Sequence, residues 1–209
     1  MRLILASVSP RRKEILALLG IPFEVVPSGV EEHSELHRTA TEEVLLLARE
    51  KACSVASKHA DVAVLGSDTL IDLDGRKVGK PTSREDALET LRKLVGREHV
   101  VVTAAVLILP DGREKNAVET VGVRMRSVSE DNLIRYVDSE EPFDKAGAYS
   151  IQGKGEDLIE RIDGDYLSVV GLPLRAVGRL LRDSGFSLPA DPESIYRERN
   201  FLNWRHFTS

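Results

Sequence analysis

The stretch SVSPRR, residues 7–12, places two arginines in the first turn of a predicted helix. That end of a helix carries about half a positive charge from its unpaired N–H groups, so Arg11 and Arg12 are locally unfavourable there. A bound anion reverses the sign. Backbone N–H groups, the Ser7 and Ser9 hydroxyls and both guanidinium forks then converge on one charged group. The alternative is that the arginines reach into solvent or pair with surface carboxylates. A strand-to-loop-to-helix setting favours the anion site.

Four further groups could do chemistry. Asp68, in GSDT at residues 66–69, sits at the end of a short apolar run, where open sheets build active sites. It could hold Mg²⁺ or Mn²⁺, act as a general base toward water, or close the strand in an Asx-turn. Lys51, Lys80 and Lys145 are cations from separate segments, as a triphosphate requires; Lys51 alone reads as a solvated helix lysine. Glu31 and Glu32 form an acidic pair in a polar loop, either solvated or completing a metal site that keeps waters and substrate oxygens. Gln152, in SIQG, offers an amide that can read the edge of a pyrimidine base or simply sit in a turn. The five histidines lack metal-ligand spacing, and Ser7 and Ser9 lack a His/Asp partner for nucleophilic work.

The elements that must position these groups follow from periodicity and punctuation. Arg2–Ala6 reads as a strand, Ser9 as an N-cap, Pro10 as the first helical residue and Gly20 as the stop. Pro22–Val26 reads as a second strand. Thr41 can cap a helix through Lys58, with Val44, Leu47, Ala48, Ala52 and Val55 on its buried face. Val62–Leu65 reads as a buried strand emptying into GSDT as a loop. Leu70–Leu73 and Arg76–Val78 flank Asp74-Gly75 as a hairpin. Ser83 opens a helix that Gly96 ends, His99–Leu109 is a strand buried on both faces, and Glu114–Arg126 is its more exposed partner. Ser129 caps a helix to about Asp138. A Gly-rich, charged loop follows, then Ile159–Ile162, a turn at Asp163-Gly164, the apolar run Tyr166–Val170, and a last helix from Gly171-Leu172-Pro173 to about Gly185. Residues 187–209 are either an edge-packing arm or a poorly ordered end. Alternation broken by hairpins predicts an α/β fold with a mixed twisted sheet and flanking helices.

At 209 residues the chain suits one domain, and its net charge of −5 disfavours a general nucleic-acid binder. Cys53 is the single cysteine, which excludes an intrachain disulfide. No apolar run approaches the roughly 20 residues that span a bilayer. With no signal-peptide pattern after Met1, a cytoplasmic protein without membrane partners is the expectation. There is no GxGxxG after a strand, and Pro81 occupies the hydroxyl position that a phosphate loop would need after Gly79-Lys80.

Taken together and in this order, LASVSPRR, FEVVPSGVEE, AREKA, LGSDTLI, KPTSREDALETLRKLVGREHVVVTAAV, EPFDKAGAYSIQG and DGDYLSVVGLPL closely resemble the Maf family of nucleoside triphosphate pyrophosphatases. The resemblance runs from about residue 3 to 180. It implies a Maf/ITPase-like catalytic domain over residues 1–186, with two lobes around a deep nucleotide cleft, and a homodimer. It implies hydrolysis of a nucleoside triphosphate between the α and β phosphates, with a divalent metal ion, Mg²⁺ or Mn²⁺. The second arginine of SPRR, the Asp-Thr pair and IQG are similar to the branch acting on dTTP and UTP, sometimes CTP and modified pyrimidine nucleotides. By position, Asp68 is then the proton acceptor, and Arg12, Thr69 and Gln152 set substrate choice. Ser7, Ser9, Arg11, Lys51, Lys80 and Lys145 contact phosphate, and Asp68, Glu31 and Glu32 contact metal.

The chain departs from the family pattern at Gly79, where an acid usually precedes Lys-Pro, at Val95, where a serine is common, and at Ser150, where glycine is common. Gly79 thins the metal site unless Glu31 or Glu32 compensates. It also leaves room for a second function, a non-catalytic nucleotide-binding regulator tied to cell division. A third, a relative acting on a methylated guanine nucleotide, is disfavoured by Arg12 and Gln152.

Overall fold

The computed structural model describes residues 1–31 and 37–207. Seven strands form one mixed sheet: β1 (Leu3–Leu5), β2 (Glu24–Val25), β3 (Ala63–Leu73), β4 (Arg76–Val78), β5 (Glu98–Ile108), β6 (Glu114–Met125) and β7 (Ile159–Asp163). Their order is β2-β1-β3-β5-β6-β7, with β4 also paired to β3. β1 runs parallel to β2 and β3, and the remaining pairings are antiparallel. The helices are α1 (Pro10–Ala17), α2 (Ala40–Ala56), α3 (Arg84–Leu94), α4 (Glu130–Val137), α5 (Tyr166–Val170), α6 (Leu174–Arg182) and α7 (Pro192–Glu198). The mixed α/β architecture is the one expected.

Because side chains alternate along a strand, the sheet carries two separate apolar clusters. Ile4, Ala6, Val64, Val102, Ala104 and Val106 pack beneath α2. Leu3, Leu5, Leu65, Val101, Ala105 and Leu107 join the opposite cluster, with Ile15 of α1, Leu91 of α3, Leu133 of α4, Leu167 of α5 and Leu181 of α6. The parity of a residue on β3 or β5 therefore decides which layer it faces.

Some boundaries differ from expectation. GSDT is not a loop. β3 runs unbroken from Ala63 to Leu73, because antiparallel pairing with β5 continues past it, with Asp68 opposite Ala104 and Thr69 opposite Thr103. Thr39, not Thr41, caps α2. Its hydroxyl accepts from Glu42 N at 3.2 Å while its own N–H donates to Glu42 Oε2 at 2.9 Å, and this reciprocal box outcompetes a cap two residues later. The helix ends at Ala56, two residues before Lys58. The apolar run Tyr166–Val170 is a short helix, started by the Asp165 carboxylate, which accepts from Leu167 N at 3.1 Å. Beyond Gly185, the chain to Phe207 packs onto the core through α7, Leu188, Phe201, Phe207 and the buried Trp204.

Candidate active site

The cleft exists because one edge of β3 is only partly occupied. β5 covers one edge, while the other pairs with β1 at residues 63–65 and with β4 at 71–73. Residues 66–70 lie in the gap between β1 and β4. The Ser7–Ser9 loop leaves β1 beside this gap, after Ala6 N donates to Leu65 O at 2.8 Å. The result is a cavity of about 570 Å³, lined among others by Ser7, Ser9, Arg11, Lys80, Lys145 and Gln152. That volume suits a small-molecule ligand of nucleotide size.

Parity then separates two chemistries on one strand. Gly66 and Asp68 point toward α2. Gly66 lies so close to that helix that a Cβ would stand 2.3 Å from Ala48 O and 2.8 Å from Ala52 N. This approach brings Lys51 within 2.5 Å of Asp68 Oδ1. Both residues are buried, at 6% and 4% exposure, and both line the cavity. Lys51 takes Oδ1, and Oδ2 has no protein partner among the described residues. An ion pair this sheltered is coupled far more strongly than one in water.

Ser67 and Thr69 point the other way. Arg12 Nε donates to Gly171 O at 2.9 Å, and its Nη2 donates to Thr69 Oγ1 at 3.3 Å. Thr69 and Thr103 hydroxyls are 3.1 Å apart, and Thr103 Oγ1 donates to Ser168 O at 2.8 Å. A hydroxyl has one proton, so with Thr103's directed at that carbonyl, Thr69 donates to Thr103. Arg12, Thr69 and Thr103 thus form one directed chain tied to the middle and the C-terminal end of α5. Ser67 Oγ also reaches Gly171 O, at 3.2 Å.

The anion turn has the expected build. Ser9 caps α1, accepting from Arg12 N at 3.5 Å, Pro10 opens the helix, and Ser7 Oγ accepts from Ser9 N at 3.2 Å. Lys145 donates to Glu141 O at 2.8 Å while lining the cavity, and Gly147 N donates to Gly79 O at 2.9 Å, which seats that loop beside Lys80. Ser150 is put to use: its hydroxyl accepts from Gln152 N at 3.1 Å and fixes the peptide carrying that side chain.

The acidic pair is divided by the structure. Glu31 is exposed and is not part of the lining, because the loop leaves the cavity after Val30. Glu32 lies outside the described residues. Lys51 is corrected, from a solvated helix lysine to a buried one. Arg11, Arg12, Lys51, Lys80 and Lys145 surround the cavity, whereas Asp68 is the one carboxylate lining it among the described residues. Those residues contain no cluster of three or more His, Cys, Asp or Glu that could hold a metal alone. This donor set fits Mg²⁺ or Mn²⁺ bound by one carboxylate, waters and substrate oxygens.

The model of the family described as Maf-like protein matches residues 2–184. The chain belongs to that family. Among curated relatives of this Maf-like chain, a Bacillus velezensis protein named dTTP/UTP pyrophosphatase is 46% identical over 87% of the chain and 96% of its own length. Proteins of the same name from Syntrophus aciditrophicus (45% identical, 88% and 90% covered) and Acetivibrio thermocellus (44%, 90% and 97%) are similarly related. A solved nucleoside-triphosphatase / dITP/XTP pyrophosphatase from Mycobacterium abscessus overlaps 97% of the chain and 99% of its own at TM-score 0.45 and 16% identity, too distant to bear on substrate.

The burial of Lys51, the tight seat of Gly66 and the whole of His99 were not read from the sequence of the Maf-like site. Lys51 falls at i+4 from Leu47 and i−4 from Val55, within the apolar stripe of α2, and that spacing was the available signal. Gly66 inside a strand signals close backbone approach. His99 gave no sign. It is buried, with Nε2 2.6 Å from the hydroxyl of Tyr149, a cavity-lining ring that meets it edge-on. Its Nδ1 is buried without a partner among the described residues.

Burial pushes the His99 imidazole down to about 4 from an ordinary 6.5. Below pH 6.5 the unfolded chain takes up this proton and the folded chain does not, so stability falls as pH drops from 6.5 to 4. The expected loss is about 3 kcal/mol over that window. Urea unfolding at pH 7, 5.5 and 4 checks it, and His99→Gln should flatten that part of the profile.

Proposed function

We propose that this Maf-like chain hydrolyses nucleoside triphosphates, foremost dTTP and UTP, to the monophosphate and pyrophosphate. The observation that carries the reading is the buried Lys51–Asp68 pair, opening on a cavity ringed by cations. The names of its relatives support the pyrimidine choice.

In this reading Asp68 accepts the proton from water through Oδ2, while Lys51 holds Oδ1. The water oxygen forms a bond to the α-phosphorus, and the α–β bridging oxygen leaves with pyrophosphate. Arg11, Lys80, Lys145 and the Ser7–Ser9 turn offset the phosphate charge, which is the main electrostatic task at so anionic a centre. Arg12, Thr69 and Gln152, which line the same cavity, are the groups proposed to read the base. Asp68 would hold a divalent metal ion together with phosphate oxygens, and the ion would further neutralise them. The homodimer and cytoplasmic setting implied by the family belong to the same proposal.

Pyrophosphate release from dTTP, UTP, CTP, ATP, GTP and 7-methyl-GTP, with Mg²⁺ or Mn²⁺, tests the reading. dTTP and UTP should be turned over fastest. Release from none of them would overturn it, and tight triphosphate binding without turnover would point to the regulator instead.

A further inference from the structure

The chain beyond residue 184, which the family match leaves out, is tied to the two sides of the cleft that carry Arg12 and Gln152. On one side, Tyr196 of α7 accepts from Arg175 N at 3.2 Å and donates to Asp165 Oδ2 at 3.0 Å. Asp165 caps α5, and its Oδ2 also accepts from Ser168 Oγ at 2.6 Å. Trp204 and Phe207 stack on Tyr166, the first residue of α5, at 5.6 and 6.0 Å between ring centres. The far end of the same helix presents Gly171 O to Arg12, and its middle presents Ser168 O to Thr103. Five residues of helix are only about 7 Å long, so the two ends move as one body.

On the other side, Asn203 Nδ2 donates to Ile151 O at 3.4 Å. Ile151 O and Gln152 N belong to one peptide plane, whose N–H donates to Ser150 Oγ at 3.1 Å. The peptide that orients Gln152 is therefore held from both faces, once by the arm. His206 Nδ1 lies 3.0 Å from Glu156 Oε2, in the turn that follows.

We propose that the C-terminal arm, residues 187–207, is a positioning clamp that sets base selection by holding α5, and through it Arg12 and Thr69, in register with the Gln152 peptide. The hydrogen bonds of Tyr196 and Asn203 run to the cap of α5 and to the Ile151 carbonyl, so the effect proposed for them falls on Arg12, Thr69 and Gln152. The inference rests on the nucleotide reading of the cleft, but part of its test does not depend on turnover. Trp204 is the only tryptophan, so the arm carries its own fluorescence reporter.

The experiment compares wild type with Tyr196→Phe, which keeps the ring and loses the hydroxyl, and with Asn203→Gly, which removes the amide and tolerates the left-handed backbone of that position (φ 61°). kcat and KM are measured for dTTP, UTP and ATP, alongside thermal unfolding and Trp204 emission during nucleotide titration. Loss of these hydrogen bonds, two in the Tyr196 variant and one in the Asn203 variant, should raise KM for the favoured pyrimidine roughly 3- to 10-fold and lower its preference over ATP by a similar factor, with kcat within about twofold. Trp204 emission should change saturably as dTTP binds. A lowered melting temperature with unchanged KM and unchanged nucleotide preference in both variants would make the arm merely structural and overturn the clamp. Should wild type turn over no nucleotide, the catalytic reading fails by itself. The clamp is then judged by the dTTP-to-ATP affinity ratio from the titrations, and equal ratios in wild type and both variants overturn it.

Discussion

Asp68→Asn should reduce pyrophosphate release by about 10³-fold, the middle of the range for removing a general base. The amide has the shape of the carboxylate but cannot accept the proton of the attacking water. Nor can it balance the Lys51 charge, which is sealed with it at the gap in β3. Lys51 then loses its buried carboxylate partner, and breaking such a pair costs about 3–5 kcal/mol. The measurement therefore needs two readouts: steady-state release per folded molecule, and urea unfolding. Nucleotide binding should survive in the folded fraction, because Arg11, Lys80 and Lys145 are untouched. Retention of more than a tenth of wild-type turnover would remove Asp68 from the role of base.

Lys51→Met should be the most destabilising single change in the site, by about 3–5 kcal/mol, with activity lost as well. Asp68 has no other protein partner among the described residues, so the variant strands a carboxylate against α2. Arginine is no substitute. Its planar, branched guanidinium does not reproduce a compact ammonium held 2.5 Å from Asp68 Oδ1. The double variant Lys51→Met/Asp68→Leu separates the two effects. Replacing both charges with apolar groups should restore most of the stability and none of the turnover, since such pairs are costly to break and cheap to replace. If Lys51→Met lies within about 1 kcal/mol of wild type, the pair is not the strongly coupled unit that its burial describes.

How much of this was legible in advance depended on the range of the interactions. The Ser9 cap and Gly20 stop of α1, the Asp74-Gly75 hairpin, the doubly buried β5 and the broken β/α alternation are local or pattern-borne, and all are as expected. Short-range competition was less legible. Thr39 and Thr41 are equally good caps by type, and the choice fell to Thr39 because Glu42 stands three residues after it.

By itself the sequence determined the family, the mixed α/β architecture and the residues worth suspecting, because capping, periodicity and motif order are properties of neighbours along the chain. Tertiary structure decided which suspects meet. GSDT became the interior of a strand because β5 offers it a partner all the way along. That continuity sends Asp68 and Thr69 to opposite faces, one to Lys51 beneath α2 and the other to Arg12 beside α5. Glu31 was left outside the cavity, while Tyr196, Asn203 and Trp204 were drawn to the backs of the walls that hold Arg12 and Gln152. No spacing rule along one chain encodes such meetings, because each depends on where two distant segments pack, and packing is settled by the whole core at once.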